Sequence, residues 1–379
     1  MTFAPASSIL PAATSIPATP LLCSPIQRLL LVTDAWLPQV NGVVTTLEQL
    51  VRQLQLQGVE VEVIHPQPYP TWPLPTYPEI RLVWRAPDLE ARIRRFAPHA
   101  IHIATEGTLG WKARALALKH GWPFTTAYHT KYPEYIRQRF GLIPERWIYG
   151  LMRKFHQPAQ TTFVPAASIR QELKSHGFDS VEIMTRGIDP HIFRRYTIAE
   201  LNAQPVFLPT WPKPWLLYVG RVAPEKNLPA FLELKVPGTK IVIGSGPDLP
   251  KLQTLYPQVQ FLGKKSGAEL ARAYASADVF VFPSKTDTFG VVNIEAMACG
   301  TPVAAYDVTG PKDSVQSGYN GCLSSDLGTA IQGALRLRHR DAIAQSVRAF
   351  NWQQASIDFQ HHLAKLPSTD WQTDLASVL

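Results

Sequence analysis

Apolar positions along this chain recur in two alternating rhythms. Leu29–Val32 is a continuous apolar run closed by Thr33 and Asp34, the pattern of a parallel strand buried on both faces. Val43–Gln57 carries Val43, Leu47, Leu50, Val51 and Leu54 at helical spacing, with Gly58 where a C-terminal cap would stand. Val59–Ile64, Ala100–Ala104, Phe124–Tyr128 and Thr161–Val164 read as further strands. Such alternation predicts an open parallel sheet with helices on both faces. Residues Thr197–Pro214 hold four prolines and little periodicity, which predicts a linker. The alternation then restarts with strands at Trp215–Val219, Lys240–Ile243, Val259–Phe261, Val279–Phe282 and Val303–Tyr306, and helices near Ala330–Leu337 and Asp341–Phe350. The prediction is α/β, with two doubly wound domains in tandem: a first domain over 27–196, a linker over 197–214 and a second domain over 215–350. Ligands in such sheets bind at the carboxyl ends of the strands.

Length agrees, since 379 residues exceed one ordinary core. The leading segment 1–26 is rich in Ala, Pro, Ser and Thr, and Met1–Pro25 has no Lys or Arg. It reads as a disordered leader rather than a secretory signal. No apolar run reaches the roughly 18 residues a spanning helix needs. Cys23, Cys299 and Cys322 are too scattered for a disulfide framework or a metal site, so a reducing cytoplasm is the expected setting. The net charge of +8 and pI near 9.3 favour an acidic partner without choosing one. Helix-turn-helix, zinc-binding and single-strand-binding signatures are missing, as is G-x-G-x-x-G, which disfavours a nucleic-acid binder and a dinucleotide oxidoreductase.

Five features fall at predicted strand ends. Pro38–Gly42 offers a glycine at a helix start, where Gly42 admits close backbone approach, though taken alone a simple capped turn is the stronger reading. His129, after Phe124–Tyr128, suits a hydrogen bond to a sugar hydroxyl or a surface position. Gly220–Asn227 carries Arg221 and Lys226 on one loop, able to reach one diphosphate. At an effective dielectric near 20, each cation–phosphate pair at about 4 Å gives about 4 kcal/mol before desolvation. Gly244 and Gly246 form a weak phosphate-approach signal. Ser284–Gly300 is the strongest. Phe289, Gly290 and Val291 open a helix whose first N–H groups lack acceptors, the makings of a phosphate site. Asp287 precedes that helix, and Glu295 lies about one turn inside it.

Together these residues resemble the retaining glycosyltransferases of family four, of GT-B fold. Two acids separated by seven residues precede A-M-A-x-G-x-P-V, here Asp287, Glu295 and Ala296–Val303, and G-R-x-x-x-E-K-N matches Gly220–Asn227. The likeness runs from about Arg28 to the C-terminus. It implies that Arg221 and Lys226 hold a diphosphate, Glu295 a ribose, Asp287 the donor sugar's hydroxyls, and His129 the transferred sugar. Gly290 and Val291 would give N–H groups to phosphate. The first acid is usually Glu, and the shorter Asp287 points to a different donor sugar or a shifted loop. T-D-x-x-x-P-Q-V-N-G-V at Thr33–Val43 and Arg186–Asp189 is similar to the branch of mannosyltransferases, sulfolipid synthases and diacylglycerol glycosyltransferases. Arg186, where the wider family has Asn, would contact acceptor or donor, or serve as a hinge. The family's last helix crosses between domains, so 351–379 is expected to return to the first.

The resemblance implies a UDP- or GDP-sugar donor and retention at the anomeric carbon. With no D-x-D in the chain, no catalytic metal is expected. Lys131–His156 interleaves Lys131, Arg137, Arg139, Arg146, Arg153 and Lys154 with aromatic residues. With Arg92–Phe96 it predicts peripheral contact with an anionic membrane, and hence a lipid acceptor such as diacylglycerol. An epimerase or phosphorylase on the same architecture is the competing class.

Overall fold

A computed structural model describes residues 26–39, 41–74, 77–131 and 144–367. Residues 1–25 of the expected leader and 132–143 of the basic segment lie outside them. Ile26 is already buried in the core, so the first domain begins no later than that residue.

The first sheet has six parallel strands in the order β2-β1-β5-β6-β7-β8, namely Glu60–Ile64, Arg28–Val32, Ala100–Ile103, Thr125–Ala127, Thr161–Val164 and Val181–Ile183. The second runs β11-β10-β9-β12-β13-β14, namely Gln260–Phe261, Thr239–Ile243, Trp215–Val219, Val279–Phe282, Val303–Tyr306 and Gly321–Ser324. A two-stranded antiparallel hairpin, β3 (Thr71–Leu74) with β4 (Tyr77–Val83), projects from the chain after β2. Central strands are apolar on both faces because helices cover both: every residue of Val279–Phe282 is buried, as are Leu29–Val32.

Both strand orders reverse direction once. In the first sheet the switch lies between β1 and β5, and in the second between β9 and β12. A crevice opens at the carboxyl end of each such point. In the first domain Asp34, just after β1, fills the crevice. Its carboxylate accepts from Leu109 N (2.8 Å) and Gly110 N (3.0 Å), capping helix Thr108–His120. Burial pushes that carboxyl up while these bonds pull it down. In the second domain the crevice holds no such internal plug among the described residues.

The chain crosses between domains twice, side by side. Ile188 N donates to Phe350 O (3.1 Å), and a Cβ on Gly187 would lie 2.2 Å from Trp352 N. Helix Trp352–His361 packs on helix Gly42–Leu56, with Phe359 and Leu363 in the first domain's core. Gln57 Nε2 donates to Ser356 Oγ at 2.7 Å.

The sequence reading differs from the structure in several places. The expected linker contains helix Ile198–Ala203, opened by a capping box of Thr197 and Glu200. The helices near the end are Leu327–Ala334 and Arg340–Gln345. Strands β8, β14 and the hairpin have no counterpart in the sequence reading, because short edge strands with half-buried residues lack the apolar run that marks a central one.

Candidate active site

The second domain's crevice is built by two loops stitched together. After β9 come Gly220, Arg221 and a 3-10 turn Pro224–Lys226. After β12 come Pro283 to Gly290. Asn227 Nδ2 donates to Pro283 O (3.1 Å) and Thr286 Oγ1 to Glu225 O (3.4 Å). Lys226 Nζ lies 2.5 Å from Asp287 Oδ1, with both side chains about a quarter exposed. The second Asp287 oxygen is buried without a hydrogen-bond partner. Gly310 holds the Asp287 backbone from beneath, since a Cβ there would meet Asp287 O at 2.4 Å.

Helix Val291–Ala298 starts beside this pair. Gly290 caps it at φ +80°, a left-handed conformation that L side chains resist. The Val291 and Val292 N–H groups have no intrahelical acceptor and face the helix's positive end. Phe289 is core rather than rim, its ring 5.6 Å from that of Phe350. Glu295 accepts from the Tyr274 hydroxyl at 2.9 Å, and burial pushes its carboxyl up to about 7 against that bond.

Gly244 and Gly246 meet protein backbone. A Cβ on Gly244 would sit 1.8 Å from Gly220 O, and one on Gly246 2.3 Å from Val222 O. Their lack of a side chain lets the loop after β10 pack on the Arg221 loop, with Val222 N donating to Ser245 O (2.9 Å). The Arg221 carbonyl accepts from Tyr218 Oη at 2.8 Å, which fixes the same loop from below.

The first domain supplies His129, after β6. Arg186 Nη2 lies 3.0 Å from His129 Nδ1, and Arg186 Nη1 donates to Met184 O (2.8 Å). Both residues are buried. Burial lowers Arg186 only to about 9, so it stays charged at neutral pH. Burial first, then the Arg186 charge, holds His129 well below its usual range. A guanidinium only donates, so Nδ1 must accept and the ring proton sits on Nε2. That nitrogen is buried without a partner, an unused donor.

Hydrogen bonds among the described residues join the domains across the cleft. Thr288 Oγ1, next to Asp287, donates to His129 O at 2.9 Å. Asp313 accepts from Ser168 N (3.0 Å) and from the Ser168 hydroxyl. Gly42 opens its helix on the carboxyl side of β1, capped by Asn41 Oδ1 from Val43 N and Val44 N (3.0 Å each). No atom lies within 4 Å of a Cβ built on Gly42. Sequence reasoning missed Thr288, Tyr274 and Asp313. Tyr274 sits in an alanine-rich helix and reads as core, and nothing local marks the other two as bridging.

The basic segment is rearranged. Lys131 is only 5% exposed, its Nζ 2.7 Å from Glu172, which also accepts from Tyr149 Oη (3.0 Å). Tyr149 and Phe155 are core. Arg92 bonds Glu62, and Arg94 bonds Glu90. These groups therefore do not form a free cationic face. Arg146, Trp147, Leu151, Arg153 and Lys154 do remain exposed on helix Glu145–His156. Arg153 and Lys154 line, with Arg114, an open cavity of about 450 Å³.

Two parallel-sheet domains, a glycine-opened helix and an acid–lysine pair are the architecture of a two-domain glycosyltransferase. Residues 213–339 match the family described as glycosyl transferases group 1, and residues 40–192 match glycosyltransferase family 4. The sulfoquinovosyl transferase of Arabidopsis thaliana is 30% identical, over 94% of this chain and 77% of that protein. A GDP-mannose-dependent alpha-mannosyltransferase of Mycolicibacterium smegmatis is 31% identical, over 86% of this chain and 94% of its own. The alpha-monoglucosyldiacylglycerol synthase of Acholeplasma laidlawii is 27% identical, over 83% and 89%. Among solved structures, a sucrose-phosphate synthase from Thermosynechococcus elongatus superposes with TM-score 0.72 at 21% identity, covering 88% of this chain and 98% of that one, which shows the shared GT-B fold. The chain belongs to the family-four glycosyltransferases.

Proposed function

We propose that this enzyme transfers a hexose from a UDP- or GDP-sugar to the hydroxyl of a membrane lipid such as diacylglycerol, with retention at the anomeric carbon. The observation that carries the reading is the second domain's crevice, where Lys226, Asp287 and the Val291 and Val292 N–H groups converge. The donor diphosphate would lie on that helix end, with Arg221 and Lys226 beside it. Glu295 would accept from the ribose, and Asp287 from the sugar. Lys226 would exchange part of its contact with Asp287 for phosphate, leaving the aspartate free for sugar hydroxyls. Gly244 and Gly246 would serve by fixing the Arg221 loop, and Gly42 by leaving space at the cleft for substrate.

Neither acid stands as an obvious nucleophile, which favours a front-face route. The bond from the anomeric carbon to the phosphate oxygen breaks, and the acceptor oxygen bonds to that carbon on the same face. The acceptor proton passes to the departing diphosphate. Positive groups at the helix end and Lys226 stabilise the charge that develops there. His129 Nε2–H would donate to the transferred sugar, its direction set by Arg186. No metal is required by this scheme, so a chelator should leave turnover unchanged.

The lipid acceptor is supported by the relative named for diacylglycerol and by the cations and Trp147 exposed on helix Glu145–His156. Peripheral attachment at the membrane's cytoplasmic face follows from that reading. Among the described residues, no helix is long and apolar enough to cross a membrane. A second reading, GDP-mannose-dependent mannosyl transfer to a glycan or lipid-linked acceptor, is favoured by the mannosyltransferase relative. A screen of UDP- and GDP-sugars against a lipid extract separates the two. Labelled lipid product is expected, and label confined to soluble glycan would overturn the lipid reading.

A further inference from the structure

The β3–β4 hairpin has one face too many for a solvated appendage. Strand alternation turns Val83 inward, where it joins the first domain's core with Leu109 and Phe155. The same alternation turns Leu82 and Trp84 outward, and Trp72 stands directly opposite Leu82 in the register. Trp72 is 69% exposed and Trp84 50%, with ring centroids 6.5 Å apart. Two adjacent exposed tryptophans are an apolar patch that calls for a partner. The Arg85 guanidinium sits 5.4 Å over the Trp84 ring, and the exposed Arg81 donates to Thr71 Oγ1 at 2.9 Å on the partner strand.

The hairpin has a counterpart across one helix. Thr108 Oγ1, at the start of helix Thr108–His120, accepts from Val83 N at 2.7 Å. Arg114, further along that helix, donates to the carbonyls of Phe155 (2.9 Å) and Lys154 (2.6 Å). The hairpin and helix Glu145–His156 thus flank the same helix, in one layer with one core. Each turns an indole away from that core, Trp147 being 66% exposed. Both also carry exposed arginines: Arg81 and Arg85 on one side, Arg146 and Arg153 on the other. The hairpin leaves the sheet at the carboxyl end of β2, the edge on which His129 stands after β6.

We propose that the Trp72–Trp84 face of the hairpin is a membrane-docking surface that seats its indoles at the headgroup level of an anionic bilayer, as a second foot beside helix Glu145–His156. Indoles with neighbouring cations fit that interface, where one end is apolar and the other wet and negatively charged. Two feet on one layer fix the tilt of the domain as well as its attachment, and hold the cleft edge toward the lipid. This inference rests on the lipid-acceptor reading, and its test keeps the two apart.

The test is co-flotation of the full chain with phosphatidylcholine vesicles, with and without phosphatidylglycerol, for wild type and the Trp72→Ser, Trp84→Ser double variant. Activity on a monomeric short-chain diacylglycerol is measured in parallel. Wild type should float with the anionic vesicles. The double variant should bind them at least about tenfold more weakly, since each indole withdrawn removes a large apolar contact. Its short-chain activity and melting temperature should be unchanged, because both indoles lie outside the core. Equal flotation of the two proteins would overturn the hairpin's role and leave the lipid reading standing. Absence of flotation by wild type, with transfer to soluble glycan instead, would overturn both. Loss of short-chain activity in a folded double variant would show the indoles contacting the acceptor itself, which also contradicts a docking role.

Discussion

The two domains bring opposite kinds of polarity to the cleft. On the second domain Lys226 and Asp287 are a charged pair, partly exposed and joined through one carboxylate oxygen, the other being buried without a partner. On the first, His129 and Arg186 are buried, and the histidine's other nitrogen is left without a partner. The first arrangement is suited to meeting a charge that grows during reaction, since a preformed ion pair can rearrange toward a phosphate. The second is suited to fixing direction, since a neutral ring locked by a guanidinium has one way to donate. A buried donor without an acceptor costs stability, and it makes sense where a substrate oxygen supplies the missing bond.

Breaking the charged side should cost most. Lys226→Ala should lower turnover by roughly 10²–10³, the scale of losing a donor to a developing anion. Steady-state kinetics and thermal melting together check it, with the melting temperature shifting little. Breaking the directional side should cost less. Arg186→Met frees His129 to carry its proton on either nitrogen, and turnover should fall by about tenfold to a hundredfold. Histidine-ring nitrogen shifts by NMR would report a change from a single Nε2–H form to a mixture.

Glu295 sharpens the comparison, because it is buried yet belongs to the charged side. Its carboxyl is held up near 7 by burial, above the ordinary 4.5. A folded group with a raised acid pKa binds protons the unfolded chain has released, so stability falls as pH rises from about 4.5 to about 7. Glu295→Gln should therefore be more stable than wild type at pH 8 by roughly 1–3 kcal/mol, read by urea titration. Its donor KM should rise about tenfold, with loss of two hydroxyl contacts to a carboxylate. Wild-type donor affinity should strengthen as pH rises through 7, and the variant's should not.

The smallest effect concerns acid stability on the first domain. His102 is held by burial at about 3, and His129 well below 6.5. As pH falls below 6.5 the unfolded chain takes up protons that these folded residues refuse, so stability falls with it. Urea titrations between pH 7 and 5 should show a declining midpoint, shallower in a His102→Asn variant that still folds.

This asymmetry also sets what the sequence revealed. The second domain's site was readable because its chemistry is local: Gly290, Asp287 and Glu295 lie within one loop and helix, and Lys226 in one turn. Its strands β9 and β12 are apolar on both faces and stand out in any periodicity. The first domain's site is made by distance. Nothing near His129 in the chain announces Arg186, fifty-seven residues on, or Thr288 in the other domain. The basic segment misled in part for the same reason. Lys131 and Tyr149 looked like surface residues because Glu172, which holds both, is remote in sequence. The hairpin was invisible because Trp72, Leu82 and Trp84 share a face only through cross-strand register.

The central claim is retaining transfer to a lipid hydroxyl. The most direct measurement supplies the purified enzyme with the nucleotide sugar it accepts and diacylglycerol in anionic vesicles, then reads the product's anomeric configuration by proton NMR. The account predicts a glycolipid whose anomeric carbon keeps the donor's configuration, formed by wild type and nearly absent with Lys226→Ala. An inverted product, or an epimerised or hydrolysed donor with no lipid product, would contradict it.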